Sequence, residues 1–265
     1  MKLASITSIA LLATIFSACG GAIEPAQDTD PPVGTASQCI INGDVVTEDT
    51  IGTPLLYGPG WGCSSTFIND TWLITAHHCL TYENVETGGT AVEPGQVQLV
   101  LLDGTFTTAA GVYLNPTYDI GLVQLGQPMS CKHYANLLNS TPSADLVGTS
   151  LYCQGWGGNS APVIDDAGDL GIAGFGTLRS ATFKLNSIKV GLDNIEMDIN
   201  ACGQVPWHGD SGMACFATVE GKQAIVGVLS RAFWVGTDVV SSSLTGVYQV
   251  FGWIGETITA NTIHD

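Results

Sequence analysis

From Ile40 onward the chain is written in short apolar or alternating runs separated by Gly, Asn, Asp and Pro: Thr66–Ile68, Trp72–Thr75, Gln96–Leu102, Gly121–Leu125, Ala181–Leu185, Ala224–Leu229 and Val247–Phe251. Runs of this length bounded by turn residues predict many short strands. Only Val250–Ile258 carries a plausible helical stripe, and it predicts a short amphipathic helix near the C-terminus. An all-β architecture of sandwich or barrel type follows. Two N-terminal stretches break the pattern. Lys2 followed by a mostly apolar run from Ile6 to Phe16, too short to cross a bilayer as a mature anchor, predicts an export signal over residues 1–18. The next stretch, GGAIEPAQDTDPPVGTAS, has no apolar period and predicts an extended tether over 19–38, with the folded domain spanning 39–265.

Composition narrows the functional classes. The 265 residues are 45% hydrophobic, enough for one large domain or two small ones. A formal charge of −17, from 7 Lys and Arg against 24 Asp and Glu, repels phosphate backbones and anionic membranes, so no nucleic-acid partner is expected. Spread along the chain, this charge reads as solubility. Phe16-Ser17-Ala18-Cys19-Gly20 resembles the bacterial lipobox, although Phe16 stands where Leu is usual; Cys19 would be acylated and become the new N-terminus. Gly20 lacks the Asp that signals inner-membrane retention, so an outer-membrane lipoprotein is expected. The alternative is an ordinary signal cut near Ala18 or Ala22. Either route leads out of the cytoplasm, where the eight Cys are expected to form disulfides rather than metal sites. His77 and His78 are adjacent and no HExxH is present, so neither a metal nor a cofactor is expected.

Three motifs carry chemistry, in the order Thr75-Ala76-His77-His78-Cys79, Tyr118-Asp119-Ile120-Gly121-Leu122 and Gly209-Asp210-Ser211-Gly212. A serine hydroxyl becomes a nucleophile when an imidazole takes its proton, and the imidazole needs a carboxylate to fix its tautomer and stabilise its cation. The order His, Asp, Ser differs from that of the α/β-hydrolases and of the subtilisins, and no GxSxG elbow is present. Together these motifs resemble the chymotrypsin/trypsin-like serine proteases. Ile40-Ile41-Asn42-Gly43 resembles their mature N-terminus. Gly155-Trp156-Gly157 resembles the start of their second barrel, and Thr245-Gly246-Val247-Tyr248 the strand before their C-terminal helix. The resemblance spans about Ile40 to the C-terminus.

It implies two six-stranded antiparallel β-barrels with a short C-terminal helix. It implies His78, which directly precedes Cys79, as general base in preference to His77, and Asp119 as its carboxylate in preference to Asp103, whose Leu-Asp-Gly-Thr context reads as a turn. Ser211 is implied as nucleophile, with the amides of Gly209 and Ser211 as an oxyanion hole. His77 then packs or bonds to backbone. Asp210 is implied to pair with an α-amine freed at Ile40, yet Cys39 stands where Arg or Lys is usual, so either another protease makes the cut or Asp210 is satisfied internally. Disulfides Cys63–Cys79 and Cys153–Cys215 are implied. Cys39–Cys131, leaving Cys202 free, and Cys202–Cys215 remain open alternatives.

Around the expected substrate pocket, Val205 falls near the base, where no Asp stands, and Ser230, Ala232 and Gly246 form other walls. An apolar preference is expected, with Asp238 able to reach in from a loop. Met213-Ala214 and Ser230-Arg231-Ala232 depart from the family's Gly-Pro and Ser-Trp-Gly, and Arg231 is the least expected residue there. The sequence thus reads as a serine endopeptidase, monomeric, acting on proteins or peptides and tied to a membrane through Cys19. The rival is a non-catalytic homologue, a lipoprotein that uses the fold as a binding module.

Overall fold

The computed structural model describes residues 40–41, 43–129, 136–142, 144–158, 163–164, 170–171, 175–188, 194–198, 204–235 and 238–261, all within one compact unit. The expected signal and tether, together with Cys19, Cys39, Cys131 and Cys202, lie outside the described residues.

A two-residue strand, β1 (Asp44–Val45), precedes the first barrel. That barrel comprises β2 (Leu55–Gly58), β3 (Trp61–Ser64), β4 (Thr66–Phe67), β5 (Trp72–Thr75), β6 (Gln98–Val100), β7 (Phe106–Leu114) and β8 (Gly121–Leu125). The hydrogen-bonded order is β3-β2-β6-β7-β8-β5-β4. Because β3 and β4 are separated only by Ser65, the two ends of this order are one bent strand, and the sheet closes as a six-stranded antiparallel barrel. Closure leaves no long unpaired edge. Leu56, Phe67, Leu73, Ile74, Leu99, Leu122 and Leu125 are buried on its strands, on one face or the other of the sheet. Burying each such side chain contributes roughly 1.5–3 kcal/mol.

The second half contains β9 (Asn136–Leu137), β10 (Ser150–Gly155), the hairpin β11 (Val163–Ile164) with β12 (Leu170–Gly171), β13 (Arg179–Ile188), β14 (Asn194–Asp198), β15 (Ala214–Val219), β16 (Lys222–Val235) and β17 (Asp238–Gly246). The path β13-β10-β15-β16-β17-β14 returns to β13 through a β13–β14 pairing, giving a second closed six-stranded ring. β1 adds outside it on β13, and β9 joins β16 in parallel, the one parallel pair among the described strands. Alternation in β13 is strict where it was expected: Ala181, Phe183 and Leu185 are buried while Thr182 and Lys184 are exposed. The resemblance's two-barrel architecture is thus the observed fold.

One expected strand is not a strand. Val247–Gln249 is a 3-10 turn, and Phe251 begins helix α1 (Phe251–Ala260). A five-residue apolar run has no period of its own, and here the i+4 spacing of Val250 and Ile254 decides the outcome by burying both on one helical face. The Gln124 amide of β8 donates to the Asn261 carbonyl just past α1 at 2.8 Å, tying the helix end to the first barrel.

Candidate active site between the barrels

Three hydrogen bonds and one close backbone approach stitch the barrels together at the place where the three motifs meet. The Ser64 amide donates to the Ser211 carbonyl at 2.8 Å, and the Ser64 hydroxyl donates to the Gly209 carbonyl at 3.0 Å. The Trp156 amide in turn donates to the Ser64 oxygen at 2.9 Å. Gly212 lies so close to β5 that a Cβ there would stand 2.1 Å from the Thr75 hydroxyl and 2.3 Å from the Ser64 carbonyl. Its φ of +83° also belongs to the region that favours glycine. The segment that carries Ser211 is therefore pressed against the strand that leads into His78. Gly212→Ala is expected to lower the Tm by at least several degrees, since the Ser64 carbonyl is backbone and cannot yield; thermal unfolding followed by circular dichroism checks this.

His78 opens a 3-10 turn, His78–Leu80, at the end of β5. Cys79 within that turn is bonded to Cys63 of β3 at 2.03 Å, which fixes the turn to its neighbouring strand. A bridge closing a loop of this length is worth about 3 kcal/mol in the chain-entropy account. Cys153 and Cys215, opposite each other in the β10–β15 ladder, form a second disulfide inside the other barrel.

Asp119, buried just before β8, accepts four hydrogen bonds. The His78 Nδ1 lies 2.9 Å from Oδ2 and 3.1 Å from Oδ1, the His78 backbone amide donates to Oδ1 at 3.0 Å, and the Ser230 hydroxyl donates to Oδ2 at 2.6 Å. With Nδ1 engaged, the imidazole keeps Nε2 for other work. Sequence reasoning assigned Ser230 only to the pocket wall; its bond to Asp119 was not foreseen, because it joins positions 111 residues apart. Asp103 sits in a surface turn, its carboxylate accepting the Thr105 amide, away from this site.

His77 is buried, with Nδ1 facing the Asn115 carbonyl at 2.9 Å and Nε2 facing the Gly88 carbonyl at 2.8 Å. Its role is to bond backbone, tying the segment before Asp119 to the loop after His78.

Asp210 is enclosed. Its Oδ1 accepts the Gly157 amide and its Oδ2 the Trp207 amide, both at 2.8 Å. A Cβ on Gly155 or Gly157 would fall 2.3 or 2.5 Å from this carboxyl group, so the Gly-Trp-Gly motif exists to make its slot. Burial pushes the Asp210 carboxyl up to about 7 against the opposing pull of the two amides. The folded chain then holds a proton that the unfolded chain releases near 3.8, the ordinary value for an Asp carboxyl, so stability falls as pH rises between 3.8 and about 7. Asp210→Asn is expected to flatten that decline in the uncut chain, as measured by Tm against pH.

Gly209 has φ +95°, and a Cβ there would meet the Phe175 ring at 2.7 Å and the Gly157 Cα at 3.0 Å. Beside Ser211 opens a cavity of about 200 Å³ lined by Pro206, Trp207, Leu229, Ser230, Arg231 and Ala232, among others. Two of the expected wall residues, Ser230 and Ala232, line it. Val205 and Gly246 do not: Val205 is bridged to Ile41 and packed with Trp207, and Gly246 is paired with Gly227 inside the β16–β17 ladder. The Asp238 side chain lies outside the described residues. Ile40 is fully buried with φ +35°, next to the Ile41–Val205 bridge.

Fold and site together define the class of two-barrel serine peptidases. The Trypsin family model matches residues 33–254, more than half of the chain, and the chain belongs to that family. Among its relatives, chymotrypsin-like elastase family member 1 of Homo sapiens is 26% identical, over 75% of this chain and 82% of its own length. Serine protease 1 of Rattus norvegicus is 24% identical, over 93% and 98%. An uncharacterized peptidase of Corynebacterium glutamicum (strain R) is 28% identical, over 61% of this chain and 52% of that protein. Among the described residues no helix is long and apolar enough to cross a membrane.

Proposed function

We propose that this protein is a serine endopeptidase in which Ser211 attacks the scissile carbonyl, His78 takes the serine proton and passes it to the leaving amine, and Asp119 orients His78 and stabilises its cation. The single observation that carries this reading is the Asp119 carboxylate, buried and bonded by both His78 and Ser230. A binding module has no need to hold an imidazole in one tautomer. The Gly209 and Ser211 amides form the oxyanion hole in this reading, and the positive φ at Gly209 supports it by turning the backbone as only glycine does without strain.

Substrate binds as an added strand. The β15–β16 ladder ends at Ala214–Val228, and one further pair of bonds links Leu229 to Gly212 and Met213. From Ser230 on, that edge of β16 has no backbone partner among the described residues, and it borders the cavity beside Ser211. An extended peptide pairing there delivers its carbonyl to Ser211. Trp207, Leu229 and Ala232 give part of the cavity an apolar lining, against which an apolar side chain immediately before the scissile bond packs.

Asp210 is the partner of an α-amine freed by cleavage before Ile40. It is buried without a cation among its described partners, and Ile40 already lies in the interior. Export through the 1–18 signal and acylation of Cys19 place the enzyme on the outer membrane. Incorporation of labelled palmitate that Cys19→Ala abolishes tests that part. The catalytic reading is tested by hydrolysis of quenched fluorescent peptides by the mature protein: steady turnover supports it, and none after release of the Ile40 amine overturns it.

A further inference from the structure

Arg231 and Glu86 join the two barrels across the substrate cleft. Arg231 follows Ser230 on the open edge of β16 and lines the cavity beside Ser211. Its guanidinium is paired with the carboxylate of Glu86, which belongs to the loop between His78 and β6. That loop is tied at its base. The Tyr82 amide donates to the Thr90 carbonyl, and Thr81 bridges Ala91. Thr90 donates through both its amide and its hydroxyl to Glu83, at 2.7 and 2.8 Å, and His77 faces the Gly88 carbonyl. The loop therefore presents Glu86 from a braced hairpin.

The pair itself is exposed, at 49% and 36% of the side-chain surfaces. Pairs so exposed contribute little, because water and salt screen them. A partner of that strength is replaceable. What replaces it must be an anion, since Arg has five donors, no acceptor, and a fork that matches carboxylate.

We infer that Arg231 is a specificity-determining residue and that the enzyme selects peptides with an acidic side chain at the second or fourth position before the scissile bond. There the substrate carboxylate displaces Glu86 from the guanidinium. A strand laid along Ser230–Ala232 sends alternate side chains to opposite faces. With the first side chain in the cavity beside Ser211, the second and fourth face the other way, toward the side where the His78 loop stands. The field of the chain as a whole opposes this choice, since a net charge of −17 repels acidic peptides. A preference for acid thus has to come from a local cation, and Arg231 supplies one. Glu86 acts as its placeholder, neutralising Arg231 in the free enzyme, and once Glu86 is displaced the guanidinium repels basic side chains from the same site.

This inference rests on the peptidase reading. It is tested with matched quenched fluorescent peptides, identical except for Glu, Gln or Lys at the second or the fourth position, with each enzyme preparation normalised by fluorophosphonate titration. One charge-assisted contact predicts a kcat/KM for Glu about tenfold above that for Gln at one of the two positions. In Arg231→Gln the ratio is expected to fall to about one, and in Arg231→Glu to turn in favour of Lys. Glu86→Gln is expected to raise the Glu-to-Gln ratio, which a merely structural role for the pair would not do. Equal cleavage of the Glu and Gln peptides by the wild type, or a preference that survives Arg231→Gln, would overturn the inference while leaving the peptidase intact. Failure of every peptide together with failure of fluorophosphonate to label Ser211 would overturn both.

Discussion

Ser211→Ala is expected to lower kcat by about six orders of magnitude, the scale on which loss of a serine nucleophile acts in enzymes of this chemistry. The residual rate reflects binding and the amides that stabilise the developing oxyanion, which the substitution leaves in place. The change removes one oxygen at a half-buried position whose backbone is held by the Ser64 amide, so the fold should persist. Active-site assays against a fixed peptide, with Tm measured in parallel, separate the two effects: a collapse of kcat at unchanged Tm is the expected result. His78→Ala should produce a loss of similar size, and the double variant should lose little more, because the two groups act as a unit.

Asp119→Asn is expected to cost about 10⁴ in kcat while perturbing geometry far less. Asp119 now accepts from the His78 ring, the His78 amide and the Ser230 hydroxyl. An amide in its place offers one acceptor oxygen and one NH₂ group, so a donor is brought against either the imidazole or the Ser230 hydroxyl. If the NH₂ faces Nδ1, the ring must carry its proton on Nε2, which then cannot serve as base. The rate should recover in part at alkaline pH, where other routes to the serine alkoxide open. Comparing kcat/KM of the variant and wild type across pH, with Ser230→Ala alongside, distinguishes a tautomer effect from simple loosening of the site.

Much of this arrangement was legible in the sequence, because it is written locally. The strands with clean alternation or tight turn boundaries, such as Trp72–Thr75 and Gly121–Leu125, lie where the pattern puts them. The ordered motifs around His78, Asp119 and Ser211 could be read because each carries its reactive group within a few residues. Closure of the barrels could not be read from pattern alone. It depends on pairings between strands far apart in the chain, such as β5 with β8 and β14 with β17. Val247–Phe251 misled because a short apolar run fits a strand or a buried helical turn equally well. The glycines of Gly155-Trp156-Gly157 were visible as a motif, but their reason, room for the Asp210 carboxyl, needed the fold.

The parts of the site that escaped sequence reading are those made by distant partners. Ser64 touches Gly209, Ser211 and Trp156 through its hydroxyl and backbone, and nothing but its place after Cys63 marked it out. The ring of Phe175 closes over Gly62 and Gly209 from a segment with no motif of its own. Arg231 stood out as the least expected residue where the family has Ser-Trp-Gly, yet its partner in the loop after His78 could not be named without coordinates. The pocket wall was assigned by counting residues from a family pattern. Counting placed Val205 on it because the stretch before Ser211 does not follow that pattern in length, and it placed Gly246 on it although that residue is held in the β16–β17 ladder.

The central claim is that Ser211 is an activated nucleophile served by His78. Its most direct measurement is reaction of the mature protein with a fluorophosphonate, followed by mass spectrometry to locate the adduct. A single stoichiometric adduct on Ser211, lost in both Ser211→Ala and His78→Ala, is the predicted result. Absence of labelling after the Ile40 amine has been freed, or labelling that persists without His78, would contradict it.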